Sequence, residues 1–281
     1  VVKLKNRGLL PEDYEEKRIL DRIQADLENV PIVLSLIGNN QSSSKVLKFI
    51  NGDTIFGVLD KTSEQALIEK FCKMREVLTG IESKVYNRSD IYAEIEELAS
   101  NAKNNYVKKY GQSILKDRAN KFKLETSKYS LIHNDLNRDN ILFEKCRNGK
   151  VIANIIDWEG LGLYPRDYQL ASFLVSSILL EGYSVDETMR IARQIEPCLD
   201  EDFITYLMKC RIFKGLHFFV ENRNSYTRSN KNAAEGILKK YFFAGERLNK
   251  YRIERNFINK EEKIQEVTSS NIINSSDERK L

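Results

Sequence analysis

The spacing of apolar residues changes about 60 residues from the start of the chain, from short strand-like runs to helical periodicity. In the first part, alternating or β-branched runs predict strands at 1–5, 31–37 and 45–50, and Pro11 with its acidic neighbours predicts a helix start. Apolar positions three or four apart then predict helices at 63–79, 89–122, 167–180, 186–194, 200–219 and 231–255. The pattern predicts an α+β protein with a strand-rich beginning and a mainly helical remainder.

A pair of strand-like runs at 141–144 and 151–156 interrupts the helical part and flanks the dipeptide Asn148-Gly149. Both residues tolerate a positive φ, so they favour a two-residue type I′ turn and predict a β-hairpin. With that turn, Asn140 faces Asp157 across the open end of the hairpin. An amide oxygen and a carboxylate held together suit Mg²⁺, which takes few protein ligands and completes its shell with water and phosphate.

Two further polar residues, His133 and Asp135, stand just before the hairpin. A carboxylate in the loop that precedes a metal-ligand asparagine can accept a proton from an alcohol beside a metal-bound phosphate. His-x-Asp-x-x-x-x-Asn followed by a strand-borne Asp is the arrangement that phosphoryl transfer in a kinase-type site needs. The alternative is a buried structural hairpin with a hydrogen-bonded histidine and no chemistry.

The segments HNDLNRDNIL and IIDWEGLGLYPRDYQLA, within residues 131–171, resemble the aminoglycoside phosphotransferase and choline kinase family of small-molecule kinases. The resemblance implies a two-lobed protein-kinase-like fold, with a small β-rich N-lobe and a larger, mainly helical C-lobe. It implies transfer of the γ-phosphoryl group of ATP or GTP to a hydroxyl of an amino alcohol, an aminoglycoside or a sugar. D-W-E in place of D-F-G points away from protein kinases.

The resemblance also assigns roles to individual residues. It makes Asp135 the catalytic base, and it makes Asn140 and Asp157 the ligands of Mg²⁺. His133 is implied to support the catalytic loop. Asp167, in the trailing D-x-x-x-A segment, is expected to brace that loop rather than to take part in the chemistry.

The nucleotide-binding assignments lie in the N-lobe. By position and resemblance, Lys3 corresponds to the strand lysine that holds the α- and β-phosphates in a kinase. Glu16 corresponds to the helix glutamate that pairs with that lysine. The alternative is that both residues are ordinary solvated charges. The backbone of Lys48, Phe49 and Ile50 is expected to bind the adenine edge. Only two residues precede Lys3, too few for the glycine-rich hairpin that covers the phosphates in a kinase. Either the sequence is a fragment that lacks its first two strands, or the protein lacks the hairpin that covers the phosphates; we expect the first, an N-lobe truncated at its start.

Composition fits this interpretation and argues against other classes. The expected division is a partial N-lobe at 1–52, a C-lobe at 53–255 and a polar, frayed tail at 256–281. The net charge of +4 is spread among alternating acidic and basic residues, which does not indicate a nucleic-acid partner. Four scattered cysteines and two histidines offer little for a zinc site and suggest reduced thiols in the cytoplasm. No run reaches the roughly 18–20 apolar residues of a membrane span.

The sequence does not select the acceptor alcohol. Family members often take cationic acceptors, which an acidic pocket or an aromatic cage would bind. The candidates for such sites are Glu159, Glu181, Asp200, Glu201, Asp202 and Glu221, and Phe218, Phe219, Tyr241, Phe242 and Phe243. Two other classes of function remain open: a non-catalytic nucleotide- or ligand-binding module on the same fold, and an interaction protein that uses its basic surface.

Overall fold

The computed structural model describes residues 2–5, 10–26, 33–38, 43–47, 52–54, 59–82, 85–180, 183–221, 236 and 239–251. The strands are β1 (Val2–Lys5), β2 (Val33–Gly38), β3 (Ser43–Leu47), β4 (Tyr129–Ile132), β5 (Ile141–Lys145), β6 (Val151–Ile155) and β7 (Gly162–Pro165). The helices are α1 (Pro11–Asp26), α2 (Lys61–Thr79), α3 (Ile91–Asn101), α4 (Asn105–Leu115), α5 (Arg118–Glu125), α6 (Tyr168–Leu180), α7 (Val185–Ile195) and α8 (Glu201–Glu221). A last described helix, α9, covers 239–251.

The predicted strand-rich beginning forms an antiparallel sheet in the order β1-β3-β2. Lys3 lies opposite Lys45 in this sheet, and α1 packs against β2. The buried face of α1 carries Ile19, Leu20 and Ile23, which recur at helical spacing. Within the described residues, the strands predicted at 1–5, 31–37 and 45–50 and the helix from Pro11 are thus confirmed, while positions 1, 31–32 and 48–50 lie outside those residues.

The amphipathic helical region predicted at 89–122 consists of three helices, α3, α4 and α5. Each begins at a polar residue whose side-chain oxygen accepts a hydrogen bond from a free backbone N–H of the first turn. These N-cap residues are Asp90, Asn104 and Asp117. The periodicity continues across the breaks because all three helices turn their apolar faces towards the same core.

The predicted hairpin is present as β5 and β6, but the predicted type I′ turn is wrong. The Cys146 N–H bonds to the Lys150 carbonyl at 2.8 Å, and the Gly149 N–H bonds to the Cys146 carbonyl at 3.0 Å. Within the connection between the two strands, Gly149 has a positive φ, 81°, and Asn148 does not. The connection is therefore a three-residue loop that ends in a left-handed glycine. The extra loop residue moves the register by one position, so Asn140 pairs with Ile156 rather than with Asp157. The Ile156 N–H bonds to the Asn140 carbonyl at 2.9 Å.

A second, non-local strand pair joins the segments on either side of the hairpin. β4 pairs with β7 in antiparallel register, with Leu131 opposite Leu163. The strand β7 is not among the strands predicted from the sequence. Its pairing with β4 fixes the loop after β4 next to the segment after β6, so the His-x-Asp loop and the D-W-E segment lie side by side.

The core of the C-lobe is built on α6 and α8, which pack against each other. Tyr168, Phe173 and Phe213 are among its largest fully buried side chains. α6 is apolar around most of its circumference, as is typical of a helix with neighbours on several sides. None of the described helices combines the length and the apolarity that crossing a bilayer would require.

Candidate active site

Asp135 lies in the loop between β4 and β5, and its side chain is 52% exposed. The loop turns sharply before it, because Asn134 is left-handed with φ 54° and the Asp135 N–H bonds to the His133 carbonyl at 2.6 Å. The Asn137 N–H then bonds to the Asp135 carbonyl at 3.0 Å. These bonds hold the backbone of the loop while the carboxylate of Asp135 remains accessible.

Asn140 links the hairpin to this loop. Its side-chain Nδ2 donates to the Asp135 backbone carbonyl at 2.8 Å and, at 3.4 Å, to the Asp135 carboxylate. Its own N–H bonds to Oδ1 of Asn137 at 3.2 Å. Since the amide nitrogen is engaged with the loop, the amide oxygen Oδ1 is the atom that Asn140 has to offer to a cation.

Asp157 follows β6 and occupies the same end of the hairpin. It has a left-handed backbone, with φ 59° and ψ 57°, and an exposed side chain. The residue before it, Ile156, is the one that pairs with Asn140. The register correction therefore leaves both oxygen donors at one end of the hairpin, although they are not directly opposed. An amide oxygen and a carboxylate there fit the preference of Mg²⁺ for a small number of hard oxygen ligands.

His133 is fully buried and connects the catalytic loop to the D-W-E segment. Its Nε2 is 2.8 Å from the Ile156 carbonyl, and its backbone N–H bonds to Oε1 of Gln169 at 2.9 Å. Its ring meets the Trp158 ring edge-on at 4.8 Å. Burial lowers the pKa of His133, and the bond to the Ile156 carbonyl offsets this only in part, so the ring is held neutral with Nε2–H as the donor.

Gly160 lets the same two segments approach closely. A Cβ at this position would lie 2.8 Å from the His133 carbonyl oxygen and 3.3 Å from Cβ of Asp135. Neither atom belongs to the end of a flexible side chain, so neither could move aside at low cost. The glycine after D-W-E is therefore required by the backbone approach that positions Asp135.

Asp167 lies outside the cleft described below and belongs to an ion-pair network. It pairs with Arg75, and Arg75 also contacts Glu196 at 2.9 Å. The Asp167 carbonyl accepts the Ala171 N–H in the first turn of α6. These contacts tie α2 to the start of α6, and the bracing of the loop by Asp167 stays a prediction.

A cleft of about 280 Å³ opens beside Asp135. Its described walls come from the catalytic loop, α6, α8 and α9. The lining residues are Asp135, Leu136, Asn137, Asp139, Ser172, Val175, Ser176, Arg211, Phe219, Lys240 and Tyr241. Arg211 of α8 approaches the Asp135 carboxylate most closely among the cations described there, with Nη2 3.5 Å from Oδ1.

Three of the six acidic side chains proposed for an acceptor pocket are engaged elsewhere. Asp200 pairs with Lys123 at 2.5 Å, Glu201 pairs with Arg193 at 2.8 Å, and Glu221 accepts the Lys103 N–H at 2.9 Å. Asp202 does not line the cleft, and the side chains of Glu159 and Glu181 lie outside the described residues.

The proposed aromatic candidates divide between the cleft and the surface. Phe219 and Tyr241 line the cleft, and their ring centroids are 5.8 Å apart. Phe218 and Phe243 are more than half exposed, and Phe242 packs on Tyr106. Sequence reasoning missed Arg211 because an isolated arginine on a helix gives no sign that its face lines a cleft.

The nucleotide-binding assignments are described only in part. Glu16 is buried on α1. The backbone of Lys3 lies in β1, and its side chain is outside the described residues. Lys48, Phe49 and Ile50 also lie outside them. Their roles stay predictions.

Comparisons with known proteins point to one family. The profile of the phosphotransferase enzyme family matches residues 1–195. The GDP complex of an aminoglycoside 2′-phosphotransferase shares 13% identity and a TM-score of 0.63, covering 81% of this chain and 80% of that one. An amicoumacin kinase in complex with AMP-PNP and Ca²⁺ shares 13% identity and a TM-score of 0.61, covering 89% and 80%. A search of curated proteins gave no significant match.

A choline/ethanolamine kinase family protein from Mesorhizobium loti gives a similar result, with 13% identity and a TM-score of 0.59 over 88% of this chain and 85% of that one. These likenesses confirm the predicted protein-kinase-like fold. The family match spans more than half of the chain and contains the catalytic loop and the D-W-E segment. The chain therefore belongs to the phosphotransferase enzyme family, as its central motifs indicated.

Proposed function

We propose that this enzyme transfers the γ-phosphoryl group of ATP or GTP to a hydroxyl group of a small molecule. One observation carries the proposal: the accessible carboxylate of Asp135 opens into a cleft, while Asn140 binds the backbone of that same aspartate. A proton acceptor and an oxygen donor for a phosphate-bound cation are thereby held in fixed relation. That relation is what phosphoryl transfer requires, since its catalysis is mainly positioning and electrostatic stabilisation.

The proposed step begins with the acceptor hydroxyl hydrogen-bonded to Asp135. As the acceptor oxygen bonds to the γ-phosphorus, the bond from that phosphorus to the oxygen bridging to the β-phosphate breaks. The electron pair leaves with the nucleoside diphosphate, and the hydroxyl proton passes to the Asp135 carboxylate. Products are a phosphate monoester and a nucleoside diphosphate, and Asp135 returns its proton to solvent.

Asn140, through Oδ1, and Asp157, through its carboxylate, would hold Mg²⁺. When bound, Mg²⁺ neutralises charge on the β- and γ-phosphate oxygens. The donor set supports this assignment, and so does the Ca²⁺ present with AMP-PNP in the amicoumacin kinase structure. His133 does not touch the reacting groups in this proposal. It positions the loop through its bond to the Ile156 carbonyl.

The nucleotide would lie between the lobes. We assign Lys3 to the α- and β-phosphates, Glu16 to that lysine, and the backbone of Lys48–Ile50 to the base. GDP in the aminoglycoside phosphotransferase structure and AMP-PNP in the amicoumacin kinase structure support a purine nucleotide as co-substrate.

The test is a turnover screen of the full chain with Mg²⁺ and either ATP or GTP. Amino alcohols, amino sugars, neutral sugars and hydroxy acids are offered as acceptors, and release of the nucleoside diphosphate is recorded. We expect release that depends on an acceptor and on Mg²⁺ and that Asp135→Asn suppresses. Nucleotide binding without acceptor-dependent release, in every class of alcohol, would instead identify a binding module.

A further inference from the structure

The cleft beside Asp135 has a cationic wall on α8. Arg211, Gly215 and Phe219 are four residues apart and therefore lie along one face of this helix. Arg211 and Phe219 both line the cleft. The Arg211 side chain is about three-quarters buried, and its Nη2 lies 3.5 Å from Oδ1 of Asp135. The position of this cation is thus fixed by the core rather than by solvent.

Gly215 determines how α9 joins this wall. A Cβ on Gly215 would lie 2.3 Å from Cε1 of Tyr241, so the tyrosine ring rests directly against the α8 backbone. Tyr241 is thereby held against α8, and Lys240, the residue before it, reaches the cleft. Burial raises the pKa of Tyr241, which remains a neutral hydroxyl at this wall.

The charges around the cleft do not suit a polycation. Among the lining residues that the structure describes, two are cationic, Arg211 and Lys240, and two are acidic, Asp135 and Asp139. The proposed reaction uses Asp135 to bind the acceptor hydroxyl, which leaves one carboxylate against two cations. A polyamine would meet like charges at two points, and such contacts weaken binding and select against that partner.

We propose that the acceptor is a hydroxy compound carrying an anionic group, a carboxylate in the simplest case, which Arg211 and Lys240 bind while Asp135 receives the hydroxyl. Guanidinium groups match the planar geometry of carboxylates, and a lysine adds a mobile point charge. The acceptor carboxylate would take over the Arg211 contact with Asp135 and release the catalytic carboxylate for the hydroxyl. This inference rests on the proposed function and specifies its substrate class.

Three compounds with the same skeleton test the inference: glycerate, glyceramide and 3-amino-1,2-propanediol. They carry negative, zero and positive charge on one three-carbon diol. Binding of each to the full chain is measured by ligand-observed NMR, and nucleoside diphosphate release is measured with Mg²⁺ and ATP or GTP. Since a hydrogen bond between charged groups is stronger than one between neutral groups, glycerate should bind roughly tenfold or more tightly than the other two.

Substitutions in the cleft test which residues cause the preference for glycerate. Arg211→Gln and Lys240→Gln should each reduce the preference for glycerate several-fold while leaving the KM for the nucleotide unchanged. Lys239→Gln, which removes the same charge one residue away on the exposed side of α9, should keep the preference.

Three outcomes overturn the inference. In the first, the amine binds as well as glycerate or better. In the second, none of the three compounds binds. In the third, Arg211→Gln and Lys240→Gln raise the KM for the nucleotide instead, which would assign the two cations to the triphosphate. Failure of the proposed function looks different: glycerate binds preferentially, but no acceptor of any class releases nucleoside diphosphate.

Discussion

The Asn140 side chain donates a hydrogen bond to the backbone carbonyl of Asp135 at 2.8 Å, so the proposed metal ligand and the proposed base form one unit. Asn140 follows Asp135 by five positions in the sequence and ends the 3₁₀ turn Arg138–Asn140. The shorter bond is made to the backbone and fixes the loop, while the same Nδ2 lies 3.4 Å from the Asp135 carboxylate. Each of the two residues can therefore be changed separately, with a different measurable effect.

Asp135→Asn should lower kcat by about 10²–10⁴-fold, the range for a positioned acid or base. The amide keeps the shape of the side chain but cannot take the acceptor proton. Nucleotide binding, measured by titration calorimetry, should persist, because Asp135 contacts the acceptor rather than the nucleotide. Asp202→Asn, an exposed carboxylate at the start of α8 that does not line the cleft, serves as the charge-matched control. An unchanged kcat in Asp135→Asn would refute the assigned role.

Asp157→Asn should weaken nucleotide binding in the presence of Mg²⁺ by about 10- to 100-fold, the equivalent of one charge-assisted contact. Asparagine is the appropriate replacement because it tolerates the left-handed backbone at φ 59°, whereas alanine would add strain. The measurement is nucleotide titration at several Mg²⁺ concentrations. Binding without Mg²⁺ should be unaffected, and an equal loss with and without the cation would contradict the ligand role.

Gly160→Ala should reduce both stability and turnover. The added Cβ would meet the His133 carbonyl oxygen at 2.8 Å, and relief requires the catalytic loop to move away from the D-W-E segment. Overpacking of this kind costs about 1–3 kcal/mol. Gly236→Ala is the matched control, because a Cβ there would meet nothing within 4 Å. The free energy of unfolding, from denaturant titration, and kcat are measured for both variants. Equal values for Gly160→Ala and Gly236→Ala would contradict the prediction.

His133 should make stability depend on pH below neutrality. Burial holds its pKa below the ordinary value of 6.5, and its buried Nδ1 has no hydrogen-bond partner among the described residues. As the pH falls through 6.5, the unfolded chain binds a proton that the folded chain does not, so stability present above this pH is lost. The slope is at most about 1.4 kcal/mol per pH unit. Denaturant unfolding at pH 7, 6 and 5 should show a steeper decline for the wild type than for His133→Gln, and parallel declines would contradict the assignment.

The residue pattern along the sequence was enough to predict the helices, the β5–β6 hairpin and which residues stand at the open end of that hairpin. It failed on the turn, since Asn148-Gly149 fits both a type I′ turn and a three-residue loop with a left-handed glycine, and only the pairing of the strands decides between them. It also missed the pairing of β4 with β7, because that contact joins segments about 30 residues apart and leaves no local pattern.

The acceptor cleft was beyond sequence reasoning for a related reason. Acidic residues such as Asp200 and Glu201 were natural candidates for a cationic acceptor, but tertiary packing directs them to Lys123 and Arg193. Arg211, in contrast, faces the catalytic loop because of the way α8 packs on α6. Charge alone in a sequence does not reveal which helix face borders a cavity.

The wall formed by α8 and α9 has a consequence for redesign. The family profile matches residues 1–195, and Arg211, Gly215 and Tyr241 lie beyond the matched segment. On the proposals above, the residues assigned to phosphate transfer lie within that segment, whereas the two cations assigned to the acceptor come later in the chain. A chimera that joins the first 195 residues to the corresponding C-terminal helices of an aminoglycoside kinase would exchange the preferred alcohol and keep the same phosphate-transfer machinery.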